Sequence, residues 1–138
     1  MANILVVDDE VDICEVVRRV LERAGYAVTV THNASAALGA VAREPPDVVI
    51  TDVIMPKVHG VELIRILRER FPGIRVIAIS GGGSFGPLAY KPDAIKTHAY
   101  LAAAREAGAQ EILTKPFDLT DLLAAVRRQQ IGQVEGLG

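Results

Sequence analysis

The sequence predicts an α/β fold built on one parallel sheet with helices on both faces. Three observations carry this. Short runs rich in Val and Ile alternate five times with stretches of helical period. The runs are nearly continuous in apolar residues, as strands buried on both faces are. Parallel neighbours need crossovers, and the helical stretches supply them.

Asn3–Val7 is the first strand candidate. Ile13, Val16, Val17, Val20, Leu21 and Ala24 then recur at helical spacing, and Gly25 follows as a stop. Ala27–Thr31 alternates and is β-prone. Ala34–Arg43 is rich in alanine and reads as a helix, closed by Pro45 and Pro46. Val48–Thr51 is the next apolar strand and ends at Asp52. Pro56 to Gly60 reads as a loop. Val61, Ile64, Leu67 and Phe71 make a helical stripe, ended by Pro72-Gly73. Ile74–Ile79 is another buried strand. Ala94–Ala107 reads as a helix ending at Gly108, and Glu111–Thr114 as a short strand. Asp118 suits the N-cap of a last helix, with Leu119, Leu122, Leu123 and Val126 facing inward.

The bulk properties narrow the function. A chain of 138 residues is enough for one domain, and half of it is apolar. Trp is absent and aromatics are few, so the core must come from Val, Ile, Leu and Ala. The net charge of −2 argues against a general nucleic-acid binder, which carries a basic stripe. No apolar run approaches the roughly 20 residues that span a bilayer. A single cysteine, Cys14, excludes an intrachain disulfide and points to a reducing compartment, the cytoplasm. Residues 129–138 read as a polar, frayed C-terminal tail with no output domain behind it.

In doubly wound sheets, ligands sit at the carboxyl ends of the strands. Those ends hold Asp8-Asp9-Glu10, then Asp52, then Ser80, then Lys115-Pro116. Two carboxylates about 4 Å apart repel by roughly 4 kcal/mol at an effective dielectric near 20. Three together destabilise a fold unless a cation joins them, and Lys115 offsets only part. A hard divalent ion with oxygen ligands is the natural partner, and Mg²⁺ suits a site shared with phosphate. One carboxylate can then attack phosphorus in line, with cation and lysine neutralising the transferring oxygens.

The segments VVDDE, ITDVIMPKVHG, AIS and TKPF resemble the marks of the response-regulator receiver family. The resemblance runs from about Ile4 to Val126, with order, spacing and strand positions all in agreement. It implies a flavodoxin-like (βα)5 fold of strand order 2-1-3-4-5, with residues 1–128 as the receiver domain. It implies Asp52 as phosphoacceptor, Asp9 as direct Mg²⁺ ligand, Asp8 as a ligand through water, and the backbone carbonyl of Ile54 as another. Ser80 is expected to hydrogen-bond a phosphate oxygen. Lys115 is expected to pair with the phosphate, aimed by a cis bond to Pro116. The phosphoryl donor is expected to be a sensor histidine kinase or a histidine phosphotransfer protein. Output is expected through contact with a downstream protein, with no nucleic acid or membrane involved, from a monomer or weak homodimer. The resemblance implies a chain that catalyses only its own phosphorylation and dephosphorylation and is not otherwise expected to be an enzyme.

Two features depart from the family pattern. The aromatic that swings inward three residues before the lysine is replaced by Ile112, so its coupling with Ser80 is in question. An insertion at about 81–97 lengthens the stretch between Ser80 and Lys115. It reads as a flexible segment with a longer fourth helix, or as a glycine-bearing lid whose Phe85, Tyr90 or the nearby Tyr100 replaces the switch aromatic.

Other residues are read as structural. His32, His59 and His98 lack metal-ligand spacing, Cys14 reads as a small packed hydrophobe, and Glu10 as a first-turn acid favourable to the helix dipole. Arg65, Arg68 and Arg70 read as a solvated face. Rival functions fit less well. A haloacid-dehalogenase-type phosphatase wants an acid two residues after its nucleophile, where Ile54 stands. Flavodoxins and nucleotide-binding Rossmann domains want a phosphate loop where Asp8-Asp9-Glu10 stand. The remaining alternative is a pseudo-receiver, a binding module of this fold that is never phosphorylated.

Overall fold

Strands and helices alternate along the computed structural model, which describes residues 2–53, 60–80, 102–114 and 118–137, with backbone only at Ser80 and 131–137. They are β1 (Asn3–Val7), α1 (Val11–Arg23), β2 (Ala27–Thr31), α2 (Ala34–Arg43), β3 (Val48–Asp52), α3 (Gly60–Arg70) and β4 (Arg75–Ser80). Residues 102–107 are helical and are labelled α4. β5 (Glu111–Thr114) and α5 (Leu119–Leu137) complete the chain. Neighbouring strands are all parallel, in the expected order β2-β1-β3-β4-β5.

Strand alternation divides the core in two. Ile4, Val6, Val48, Ile50, Ile77 and Ile79 pack against Cys14, Val17 and Leu21 of α1 and Leu122, Ala125 and Val126 of α5. On the other face, Leu5, Val7, Val49, Val76 and Ala78 meet α2, α3 and Ala104 of α4. Each Val or Ile taken out of water contributes about 1.5–3 kcal/mol. All five residues of β3 are buried. The central strand therefore tolerates a polar residue only where hydrogen bonds or a partner compensate it, and Thr51 and Asp52 are such residues.

The amino ends of the strands are tied by one residue, Asp47, through its side chain and its backbone. Asp47 Oδ2 accepts from Asn3 N at 2.8 Å. The Asp47 carbonyl accepts from Arg75 N at 3.1 Å. These bonds fix the heights of β1, β3 and β4, and so the alignment of their carboxyl ends.

Two expectations are corrected here. The arginines of α3 are not uniformly a solvated face. Arg68 is half-buried and its Nη1 donates to the Ile74 carbonyl at 2.7 Å. Its side chain lies over Gly108, where a Cβ would collide with it and where φ is +121°. Glycine there ends α4 through bonds from Gly108 N to Arg105 O and from Ala109 N to Ala104 O, both 3.1 Å. The chain from Gln129 onward is not frayed either, because α5 runs to Leu137. Gln129 is buried, and its Nε2 donates to Glu111 Oε2 at 2.6 Å while Arg128 Nη2 holds Glu111 Oε1 at 2.6 Å. Glutamine is a good helix former, so a polar tail does not by itself end a helix.

Candidate metal and phosphoryl site at the sheet edge

The sheet reverses its winding beside β1. The chain passes from β1 to β2 on one side and returns to β3 on the other, leaving a crevice at the carboxyl ends of β1 and β3. Val7 is in register with Thr51, so the next residues, Asp8 and Asp52, stand side by side. The alternation that sends Val48 and Ile50 toward α1 and α5 puts Asp52 on that same face. Both carboxylates are buried, each residue retaining 1% of its exposure.

The turn after β1 adds a third acid. Glu10 is the N-cap of α1, in extended conformation and without a side-chain cap bond. Its N–H donates to Asp8 Oδ1 at 3.0 Å. Positions 8 and 10 are two apart in extended chain and share a side. Carboxylate oxygens of Asp8, Glu10 and Asp52 consequently lie within 4.8 Å of one another. Asp9, between them, is exposed and does not belong to that group.

Three carboxylates at this spacing repel strongly in a site shielded from water. The donor set is entirely oxygen, which suits a hard divalent cation such as Mg²⁺ and excludes thiolate-seeking metals. The acidic cluster can therefore bind a metal.

The backbone beside Asp52 is held from two directions. Val53 N donates to Ile79 O at 2.9 Å, extending the β3–β4 ladder past Asp52. Gly60 opens α3 against this same peptide, its N–H donating to Val53 O at 3.3 Å. A Cβ on Gly60 would overlap the Asp52 carbonyl oxygen and lie 2.6 Å from Val53 Cα. No other residue type lets α3 start so close to the end of β3.

Of the residues expected at the site, Asp8 and Asp52 are brought together. Glu10, read from sequence as a helix-dipole acid, joins them. The signal for it was the i, i+2 spacing within Asp8-Asp9-Glu10. Ser80 ends β4, with its backbone in register with Thr114. Ile112 is half-buried on β5, in register with Ala78, and packs against the core cluster that includes Ala104. Ile54, Lys115, Pro116, His59, His98 and the 81–97 insertion, with Phe85, Tyr90 and Tyr100, lie outside the described residues. Cys14 is buried within the core cluster beneath α1, as expected of a packed hydrophobe.

Comparison with known proteins agrees with this geometry. Residues 4–127 match the response regulator receiver domain family. The response regulator receiver protein CpdR of Brucella abortus is 33% identical over 131 residues, covering 95% of this chain and 98% of that one. The DNA-binding transcriptional regulator NtrC of Rhizobium meliloti is 36% identical over 127 residues, 92% of this chain but 24% of NtrC. Among solved structures, a response regulator receiver domain protein from Clostridium thermocellum superposes with a TM-score of 0.80 at 31% identity, covering 100% of both chains.

Proposed function

The chain belongs to the response regulator receiver domain family, whose members act in two-component signalling, and we propose from this that it is a switch phosphorylated on Asp52. The observation that carries the reading is the buried Asp52 carboxylate at the end of β3, gathered with those of Asp8 and Glu10.

In the proposed step, an Asp52 oxygen attacks the phosphorus of a phosphohistidine. The P–N bond breaks, its electron pair leaves with the imidazole, and an aspartyl phosphate results. Asp8 and Asp9, with Asp52 and the Ile54 carbonyl, are the proposed holders of Mg²⁺, and Glu10 brings one further oxygen within reach. When bound, Mg²⁺ neutralises the carboxylates and the oxygens of the transferring group. Lys115 pairs with the phosphate and Ser80 hydrogen-bonds it. The chain thereby promotes its own phosphorylation and dephosphorylation and turns over no separate substrate.

Output is proposed to come from protein contact. Aspartyl phosphate draws Ser80 and Lys115, and the face around β5 and its flanking helices shifts. With Ile112 packed where the family carries an aromatic, this coupling runs through Ser80 or through the 81–97 insertion. The receiver is proposed to span 1–128, to act in the cytoplasm as a monomer or weak homodimer, and to take phosphate from a sensor histidine kinase or a histidine phosphotransfer protein. Among the described residues, no helix is long and apolar enough to cross a membrane.

A phosphotransfer profile tests this reading. Purified chain is mixed with each autophosphorylated histidine kinase of its own cell. One kinase is expected to lose its label to the chain within seconds to minutes, and Asp52→Ala is expected to take none. Equal labelling of wild type and Asp52→Ala would overturn the assignment.

A further inference from the structure

We propose that His32 is a positioning residue for the acidic cluster, its Nδ1–H and the Cys14 thiol together gripping the backbone carbonyl of Asp8. The proposal rests on the reading of that cluster as a cation site. It concerns one residue, His32, whose sequence context showed no metal-ligand spacing, and another, Cys14, that read as a packed hydrophobe.

The contacts converge on one atom. His32 Nδ1 lies 3.0 Å from Asp8 O. Cys14 Sγ donates to the same oxygen at 3.3 Å. A carbonyl has two lone pairs and can accept both. Donation from His32 requires the proton on Nδ1 and leaves Nε2 as the acceptor nitrogen. The 3.7 Å separation of Cys14 Sγ and His32 Nδ1 then marks two donors sharing an acceptor, and not a thiol–imidazole pair.

His32 is itself held in place. The residue before it, Thr31, accepts Asp8 N–H through its carbonyl at 3.1 Å. The residue after it, Asn33, caps α2 through Oδ1, which accepts from Ala36 N at 2.7 Å. The β2–α2 turn thus grips Asp8 at both ends of the residue, at N–H through Thr31 and at C=O through His32. The next link is the Asp8 carboxylate, which accepts from Glu10 N. Carboxylates that repel one another spread apart unless the chain carrying them is fixed, and outer contacts of this kind set metal affinity through the ligands they hold.

The test uses the full chain, Mg²⁺ titration by calorimetry, and the ring tautomer of His32 by ¹⁵N NMR in mildly alkaline buffer. His32→Leu removes the donor, whereas His32→Asn puts an amide N–H close to the place of Nδ1. His32→Leu is expected to weaken Mg²⁺ binding about fivefold, the equivalent of one hydrogen bond. His32→Asn is expected to stay within about twofold of wild type on the same scale. The wild-type ring is expected to carry its proton on Nδ1. Unchanged affinity in His32→Leu, equal losses in both variants, or an Nε2–H ring would overturn the proposal. A wild type that binds no Mg²⁺ would overturn the cation reading and the positioning role with it, while the tautomer would still judge the His32 contact.

Discussion

Asp52→Asn is expected to raise the unfolding midpoint in metal-free buffer and to abolish most of the further rise that Mg²⁺ gives the wild-type chain. The two effects share one cause. Carboxylate oxygens of Asp8, Glu10 and Asp52 lie within 4.8 Å of each other, and two of the residues are almost wholly buried. At an effective dielectric near 20, each pair at that separation repels by roughly 3 kcal/mol. Hydrogen bonds such as Glu10 N to Asp8 Oδ1 offset part of this. Asparagine keeps the shape and removes the charge, so a net gain of about 1–2 kcal/mol is expected. For a chain of this size that corresponds to a few degrees in Tm. Wild type should gain up to about 2.7 kcal/mol at a hundredfold excess of Mg²⁺ over its Kd, because only the folded chain gathers the ligands. A lowered metal-free Tm, or a full Mg²⁺ response in the variant, would contradict the electrostatic account.

Gly60→Ala is expected to cost at least about 3 kcal/mol, while the same substitution at Gly39 is expected to stabilise the chain by about 0.5–1 kcal/mol. At Gly60 the new methyl would meet the backbone of Asp52 and Val53, and backbone in a fully buried strand cannot move aside. At Gly39, inside α2, it meets only the tip of the flexible Arg43 side chain at 3.8 Å, an ordinary contact, and gains alanine's helix preference. Chemical denaturation of the two variants measures both. A mild effect at Gly60 would show that α3 can begin farther from β3 than its contact with Asp52 and Val53 implies. A Gly60→Ala chain that folds should also be phosphorylated more slowly, since the displaced peptide carries Asp52.

The fold was legible because its strands are unusually uniform. Val48–Ile50 and Val76–Ile79 could be read as doubly buried from apolar content alone, and β-α alternation then left a parallel sheet as the one economical arrangement. The acids at the strand ends were legible for the same reason, since residues following buried strands fall on one edge. What escaped was local geometry that composition does not encode. Whether Asp9 or Glu10 turns toward Asp52 depends on the extended backbone at Glu10, and the run of three acids reads alike either way. Arg68 looked solvated because charge sets the expectation, yet its long stem crosses a glycine to reach a carbonyl. Gln129 looked like the start of a loose tail, and only the placement of Glu111 on β5 gives it a partner. His32 carried no spacing signal because its target is a backbone oxygen, invisible in any pattern of side chains.

The most direct test of the central claim is intact-mass measurement after incubation with acetyl phosphate, with Mg²⁺ and with a chelator. Wild type is expected to gain the mass of a single phosphoryl group only when Mg²⁺ is present. That mass should be lost in base, kept in acid, and absent from Asp52→Ala. A gain indifferent to chelation, or one carried by the Asp52→Ala chain, would contradict the account.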